Sequence, residues 1–128
     1  MAVKLGLKPG SLVAVINEPP NFRRGLEPIP AGVSFRDSLR GRVDLAVLFV
    51  VERREFERRF AALGKAIFPD GAAWVAWPKK ASGVSTDITE HTVREIALPA
   101  GLVDIKVCAI DATWSGLKIV WRKEHRTA

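Results

Sequence analysis

A chain of 128 residues, 48% hydrophobic and 27% charged, is long enough to bury one core and too apolar to remain disordered. Its single cysteine, Cys108, excludes a disulfide framework and a cysteine-rich zinc site. No apolar run approaches the roughly 20 residues that span a bilayer, and MAVKLGLKPG (1–10) has no apolar signal core. We therefore predict one domain over residues 1–128, in the cytoplasm of a bacterial-type cell.

The charge balance permits a polyanionic partner without requiring one. Twenty lysines and arginines against fourteen acids give a net charge of +6, which favours association with nucleic acid or another acidic partner. Many of these charges alternate in sign, as in VERREFERRF (51–60), which is the pattern of a solvated helix face. Both interpretations stay open at this point.

The first third of the chain predicts two short strands among irregular segments. KLGLKPG (4–10) is typical of a helical or turned lead-in. The apolar, β-branched run that follows predicts a buried strand over Leu12–Ile16, and Pro19 and Pro20 end it. RRGLEPIPAG (23–32) is expected to be irregular, and GVSF (32–35) predicts a second short strand.

A strand–helix–strand unit follows. Residues 43–51 are almost continuously apolar, as expected of a parallel strand covered on both faces. In the next segment, four apolar residues recur at helical spacings of four, three and four: Phe56, Phe60, Leu63 and Ile67. After a Pro-Asp-Gly turn, AAWVAW (72–77) predicts a second buried strand, which completes a right-handed βαβ unit.

The last third predicts a helix and an antiparallel hairpin. DITEHTVREIAL (87–98) is helical, with Asp87 and Glu90 spaced as a capping box and Thr89 as a competing cap. LVDIKVCAI (102–110) and LKIVWR (117–122) are strands, and their link is too short for a parallel crossover. The polar tail KEHRTA is expected to fray. The sum is an α/β, three-layer, Rossmann-like fold with a mostly parallel sheet and a C-terminal antiparallel hairpin.

This layout resembles a reduced class I S-adenosylmethionine-dependent methyltransferase fold. KLGLKPGSLVAVI (4–16) is similar to the first helix end, Pro-Gly turn and strand of that superfamily, RVDLAVLFV (42–50) to its fourth strand, and LGKAIFPDGAAWVAW (63–77) to its fifth. The superfamily binds its cofactor with a glycine-rich turn after the first strand. Here that turn is Asn17–Pro20, without glycine, so no cofactor is predicted and S-adenosylmethionine binding in the usual mode is not expected.

Two longer blocks resemble a family of small bacterial proteins defined as a domain of unknown function. The blocks read WPKK-SG--TD and GLVD-KVCAID--WSGLK, and they lie at Trp77–Asp87 and Gly101–Lys118. This resemblance implies a fold and assigns no chemistry.

The segment between the second βαβ strand and the next helix is the leading candidate for a ligand site. Ligands of open α/β sheets bind beyond the carboxyl ends of the parallel strands. Lys79 and Lys80 lie at such an end and suit a phosphate or carboxylate, Ser82 and Gly83 add hydroxyl and backbone donors, and Trp77 could stack on a base. The structural alternative is that the tryptophan packs in the core, the lysines are solvated and the acid at position 87 caps a helix.

Other polar residues have weaker claims. Asp111 and Trp114 in DATWSG (111–116) are either site residues together with Asp104 and Lys106 on the adjoining strand, or ordinary turn and edge residues. Asp104 and Lys106 are expected on one exposed strand face, where they would pair with Lys118 or Arg122.

The usual catalytic signatures are missing from the sequence. Cys108 has apolar neighbours and is expected to be a small buried hydrophobic residue. His91 and His125 do not form a zinc motif, and no Walker loop or nucleophile elbow occurs. We therefore assign no catalytic and no metal-binding residue.

The arginines of the first half are a further candidate surface. Two alternatives stay open for them, one basic face shared with Lys79 and Lys80 or a scattered basic surface; they are Arg23, Arg24, Arg36, Arg40 and Arg42.

Three functions are compatible with these residues. The first is a non-catalytic or vestigial methyltransferase-like domain that binds a small anionic ligand or nucleotide at residues 77–87. The second is a nucleic-acid or acidic-protein binding module that uses a basic surface. The third is an active methyltransferase with an atypical cofactor pocket.

Overall fold

A computed structural model describes residues 1–126 and shows a six-stranded mixed sheet with helices on both faces. The strands are β1 (Leu12–Ile16), β2 (Ser34–Arg36), β3 (Leu45–Phe49), β4 (Ala72–Pro78), β5 (Leu102–Ala109) and β6 (Trp114–Trp121). The helices are α1 (Ala2–Leu5), α2 (Phe22–Leu26), α3 (Arg53–Ile67) and α4 (Glu90–Ala97), with 3₁₀ turns at Lys80–Ser82, Leu98–Ala100 and Lys123–His125. None of the helices in this part of the chain is long and apolar enough to cross a membrane.

The strand order is β2-β1-β3-β4-β6-β5. Strands β2, β1, β3 and β4 pair in parallel, and β6 lies antiparallel between β4 and β5. The predicted α/β class, its mostly parallel sheet and its antiparallel C-terminal pair are therefore confirmed. We call the end of the sheet where β1, β3 and β4 finish the carboxyl edge, and the end where they begin the amino edge.

The core is divided by the sheet into two apolar layers. In β3, Leu45, Val47 and Phe49 face α1 and α2, while the residues between them face α3 and α4. All five residues of the strand are buried, which explains why its sequence is continuously apolar instead of alternating. On the α3 side, three of the four residues of the predicted apolar stripe are fully buried, and Phe60 packs at its margin.

Several element boundaries differ from the sequence predictions. Strand β3 is shorter than residues 43–51, because the flanking residues bond outside its ladders, as when the Val43 N–H donates to the Ala66 carbonyl at 2.9 Å. Strand β6 begins three residues early, since Trp114 already pairs with Pro78 of β4. Helix α2 forms within a segment expected to be irregular.

The first residues of the C-terminal tail are ordered. The predicted fraying is wrong for residues 123–125, which form a 3₁₀ turn. Arg126 adds a side-chain hydrogen bond to the Trp121 carbonyl at 2.8 Å. The last two residues of that tail, 127 and 128, lie outside the described residues.

A bulge in β5 changes which side chains share a face. The register against β6 shifts between Asp104 and Lys106, so Asp104 pairs with Ile119 and Lys106 with Lys118. The Asp104 carboxylate accepts from Arg94 of α4 at 2.9 Å, whereas the Lys106 ammonium lies 3.5 Å from the Lys4 carbonyl of α1. The two side chains therefore point to opposite faces, and the expectation of one shared face is wrong because a bulge interrupts the alternation.

Candidate functional site

Asn17 links the ends of β1 and β3 at the carboxyl edge. Its backbone has φ 60°, in the left-handed region that asparagine enters more readily than most residues. Its amide Nδ2 donates to the Phe49 carbonyl and to the Glu55 carboxylate, both at 3.0 Å. A side chain therefore crosses the position where a glycine turn would leave room for a ligand.

Glu55 of α3 completes this link. Its burial acts to raise the pKa, but hydrogen bonds from Asn17 and Arg59 outweigh that effect, and the pKa of the carboxyl lies below its ordinary value. The Arg59 bond is 3.1 Å long. Glu55 is thus an ionised carboxylate with two donors, which fits a structural role better than proton transfer.

Three aromatic rings fill the same edge on the α2 side. Phe49 contacts Phe22 and Trp114 edge to face, with ring centroids 5.0 Å apart in both pairs. Phe22 and Phe49 are buried and Trp114 is half-buried. Such pairs stabilise one another beyond simple area burial, so this part of the carboxyl edge is packed core.

Trp77 and Ser82 of the candidate loop are already engaged in the structure. Trp77 is the penultimate residue of β4, is 8% exposed and belongs to the core on the α3 and α4 side. The Ser82 hydroxyl donates to the Lys79 carbonyl at 2.6 Å and accepts from the Val84 N–H at 3.2 Å. Gly83, at φ 79°, ends the 3₁₀ turn. These three residues shape the loop.

Lys79 and Lys80 are the members of the candidate set that reach solvent. Lys79 is half-buried and Lys80 is exposed. Neither takes part in an ion pair within residues 1–126. The Lys79 backbone N–H donates to the Thr113 carbonyl at 2.8 Å, which fixes the start of the loop against the β5–β6 turn.

Asp87 caps a helix, but not the predicted one. Its carboxylate accepts from the Arg53 N–H at 2.6 Å, the first N–H of α3. Helix α4 is instead capped by Thr89, which accepts from the Thr92 N–H in a reciprocal capping box. The competing cap was therefore the right one, and the pairing of Asp87 with Glu90 was wrong because α4 begins only at Glu90.

The DATWSG segment is turn chemistry followed by a strand. The Asp111 carboxylate accepts from the backbone N–H groups of Thr113 and Trp114, both at 2.8 Å, as in an Asx turn. On the neighbouring strand, Asp104 is paired with Arg94, and this hydrogen bond holds the pKa of Asp104 below its ordinary value. The pairing of Asp104 with Lys118 or Arg122 is wrong.

The residues with metal or thiol chemistry are dispersed. Cys108 is a free, half-buried thiol at the margin of the α1-side core, so it is less buried than expected. His91 and His125 are both exposed, on α4 and on the last 3₁₀ turn. Within residues 1–126, His, Cys, Asp and Glu side chains form no group of three that could hold a metal ion.

The basic residues do not make one face. Arg42 pairs with Asp70 at the amino edge, away from Lys79 and Lys80. Arg23 pairs with Glu18 at 3.0 Å and lies over an aromatic ring of β2. Of the two alternatives that the sequence left open, the scattered one is favoured, because Arg23 and Arg42 are used in separate local contacts.

Among the described residues, two cavities beside the sheet are lined by residues outside 77–87. One, of about 520 Å³, opens between the carboxyl end of β1 and α3. It is lined by Ile16, Asp37, Ser38, Leu39, Arg40, Arg58, Arg59 and Ala62. Its Arg58 and Arg59 both approach Glu55, so part of its positive charge is already balanced. The other cavity lies at the amino edge.

Solved structures share this fold although their sequences are only distantly similar to that of this chain. No protein-family model matches the chain, and no curated protein matches its sequence. Magnesium protoporphyrin IX methyltransferase (ChlM) from Synechocystis PCC 6803 with bound SAM is 10% identical, with a TM-score of 0.59 over 94% of this chain and 74% of the other. A structure described as a type 11 methyltransferase from Sulfolobus solfataricus has a TM-score of 0.62 at 11% identity, over 92% of this chain and 90% of the other.

A third structure, a complex of DhpI with SAH, has a TM-score of 0.63 at 11% identity, with 91% of this chain and 78% of the other covered. At such identities the likeness establishes the architecture alone. The chain has a methyltransferase-like, Rossmann-like fold, as the sequence pattern predicted.

Proposed function

We propose that this chain is a non-catalytic, methyltransferase-like domain that binds a small anionic ligand or nucleotide beside Lys79 and Lys80. The observation that carries the proposal is the pair of adjacent lysines that have no ion-pair partner within residues 1–126 and lie at the carboxyl edge. Lysine side chains bind a phosphate or carboxylate as point charges, and this edge is where α/β sheets bind ligands.

The loop that presents these lysines is held at both ends. The Lys79 N–H bond fixes its start and the Asp87 carboxylate fixes its end to α3. Between them, Ser82 and Gly83 set the turn, and Trp77 anchors the preceding strand in the core. A loop already ordered loses little conformational entropy when a ligand binds.

The contacts around Asn17 support the non-catalytic part of the proposal. The backbone at the end of β1 must approach a dinucleotide-type ligand closely, and glycine allows this approach. Here the Asn17 side chain occupies the space in front of β3, and Phe49 and Trp114 fill the neighbouring space. We extend the proposal to membership of the bacterial family with the two sequence blocks, for which the blocks are the support.

A thermal-shift panel with AMP, ATP and S-adenosylmethionine tests the proposal. A ligand at about 100 times its Kd stabilises the native state by about 2.7 kcal/mol, which is a readable shift in Tm. We expect a shift with a phosphate compound that the Lys79→Ala/Lys80→Ala double variant loses. Lys65→Ala, which removes an exposed lysine at the end of α3, is the control for lost charge and should keep the shift.

The other outcomes separate the competing functions. A phosphate shift that survives in the double variant but disappears in Arg40→Ala would place the ligand in the cavity beside α3. Stabilisation by S-adenosylmethionine, together with methyl transfer to any acceptor, would show an active enzyme. Binding of short RNA with a steep salt dependence would favour the nucleic-acid module, which the separated basic residues do not support.

A further inference from the structure

A second cavity, of about 440 Å³, opens at the amino edge of the sheet, opposite the edge that carries Lys79 and Lys80. Its walls come from the lead-in between α1 and β1, the starts of β3 and β4, and the end of β6. This volume lies within the range of about 300 to 1,000 Å³ that is typical of small-molecule sites. The cavity is independent of the function proposed above.

The ammonium group of Lys118 is the central polar feature of this cavity. Lys118 is half-buried, and its Nζ lies 5.8 Å from the ring centroid of Trp74, which is fully buried. Directly opposite on β5 is Lys106. Like charges at opposed positions of two strands destabilise a sheet, so the pairing of Lys118 with Lys106 is electrostatically unfavourable.

Gly6 lies beside the ammonium group of Lys118. A Cβ at position 6 would lie 2.9 Å from the Lys118 Nζ, so the end of the lysine side chain would have to move aside. Gly6 also has φ 92°, in the left-handed region that favours glycine. The turn after α1 therefore needs glycine for its backbone conformation, and it places that backbone next to the Lys118 ammonium group.

The remaining charges of the wall leave a positive excess. Arg42 and Asp70 pair with each other. The carboxylate of Asp44 accepts the backbone N–H of the first residue of β1 at 2.8 Å. Lys8 and Lys118 have no ion-pair partner within residues 1–126.

The surroundings of Lys118 disfavour its charged form. Burial lowers its pKa, and the charges of Lys106 and Lys8 lower it further, while Cys108 acts weakly in the opposite sense. A bound anion would offset both the burial of the Lys118 ammonium group and its repulsion by Lys106 and Lys8.

We infer that the amino-edge cavity is a binding site for a small anion, a phosphate or carboxylate group held between Lys118 and Lys8. The carboxylate of Asp44 on the same wall disfavours an extended polyanion, so the ligand is a small molecule with one such group. The mixed polar and apolar walls, with Leu45 and Ile105 beside the lysines, leave room for a compact organic body.

Titration of ¹⁵N-labelled protein with inorganic phosphate and, separately, with acetate tests this inference. Ionic strength is held constant with chloride, and the backbone signals of Gly6 and Ser11 are followed. We expect saturable shifts at both residues. Lys118→Met and Lys8→Ala should each weaken binding by about tenfold, the scale of one charge-assisted hydrogen bond. The stronger of the two anions identifies the preferred group.

Two matched variants keep the outcome specific. Lys65→Met removes one charge elsewhere, and Lys79→Ala/Lys80→Ala removes the carboxyl-edge lysines, and both should bind as the native protein does. The inference is overturned if chloride alone moves the same signals, or if Lys8→Ala and Lys118→Met bind both anions undiminished. Should Lys118→Met fail to fold, the exposed Lys8 decides the question alone.

Discussion

The two edges of the sheet differ in what their polar groups are used for. At the carboxyl edge, polar side chains connect one element to another: Asn17 joins β1 to β3 and α3, and Asp87 joins the loop after β4 to α3. At the amino edge, Lys118 and Lys8 face a cavity without an acidic partner in the described chain. Lys79 and Lys80 of the carboxyl edge also lack an ion-pair partner within residues 1–126, but they line neither of the two cavities.

The fold alone therefore does not determine where a ligand site lies. The strand order places a crevice beyond the carboxyl ends of β1 and β3, where the Asn17 contacts fill the space in front of β3 and the cavity lies instead between β1 and α3. Function depends on the side chains that a shared architecture presents. Each change below loosens or tests one edge while it leaves the other unchanged.

The largest effect is expected from Trp74→Phe, at the amino edge. The Trp74 indole N–H donates to the Leu5 carbonyl at 2.9 Å and so ties α1 to β4. Its loss leaves a buried carbonyl unsatisfied, and urea denaturation should show a loss of about 1–3 kcal/mol in the free energy of unfolding. Trp77→Phe, which loses a similar ring but no such bond in the described chain, should cost less. Equal losses would deny the bond this role.

Asp87→Ala tests the carboxyl edge. The substitution removes the cap of α3, and we expect the free energy of unfolding to fall by about 1 kcal/mol. Amide hydrogen exchange should accelerate at Arg53 and not at Thr92. Thr89→Ala, which removes the cap of α4, should give the reverse pattern. If Asp87→Ala leaves the exchange of Arg53 unchanged, the loop is not held through this bond.

A comparison of Asn17→Gly with Asn21→Gly measures the link across β1 and β3. Both asparagines have positive φ, 60° and 66°, which glycine accepts without strain. Only Asn17 has side-chain hydrogen bonds to neighbouring elements. We expect Asn17→Gly to be less stable than Asn21→Gly by somewhat under 1 kcal/mol in denaturation. Equal stabilities would mean that the link contributes nothing.

Lys118→Met should raise stability, by roughly 0.5 kcal/mol at neutral pH, because it removes one member of a like-charged strand pair. The pKa of Lys118 is lowered from 10.5 in the folded state. As pH rises from the folded pKa towards 10.5, the unfolded chain binds more protons, so native stability should rise. The variant lacks this rise.

The measurement is denaturation at several alkaline pH values. The nearby titrating groups are Lys8, Lys106 and Cys108, and all three remain in the variant. A pH profile identical to that of the native protein would show that Lys118 is not the strained group.

The sequence is most informative where local pattern and tertiary environment agree. β3 and β4 are covered on both faces, so nearly every residue is apolar and the strands are visible without knowledge of their partners. Phe56, Leu63 and Ile67 recur at helical spacing because one side of α3 packs on the sheet. These features determine the fold class, and they were predicted correctly.

The candidate site depends on contacts between residues distant in the sequence. The acceptor at Asp87 and its donor at Arg53 are 34 positions apart, and no local pattern joins them. The only local signal for the Asn17 link was the tolerance of asparagine for left-handed backbone. The bulge before Lys106 shifts the strand alternation by one residue, and this shift brings Lys106 opposite Lys118.

The proximity of Lys118 to Trp74 also has an optical consequence. Indole fluorescence responds to a charge near the ring, because excitation redistributes electron density within it. The ammonium group lies 5.8 Å from a ring that is wholly screened from water. An anion that neutralises this charge would alter the emission of Trp74, so the amino-edge cavity carries its own intrinsic fluorescent reporter.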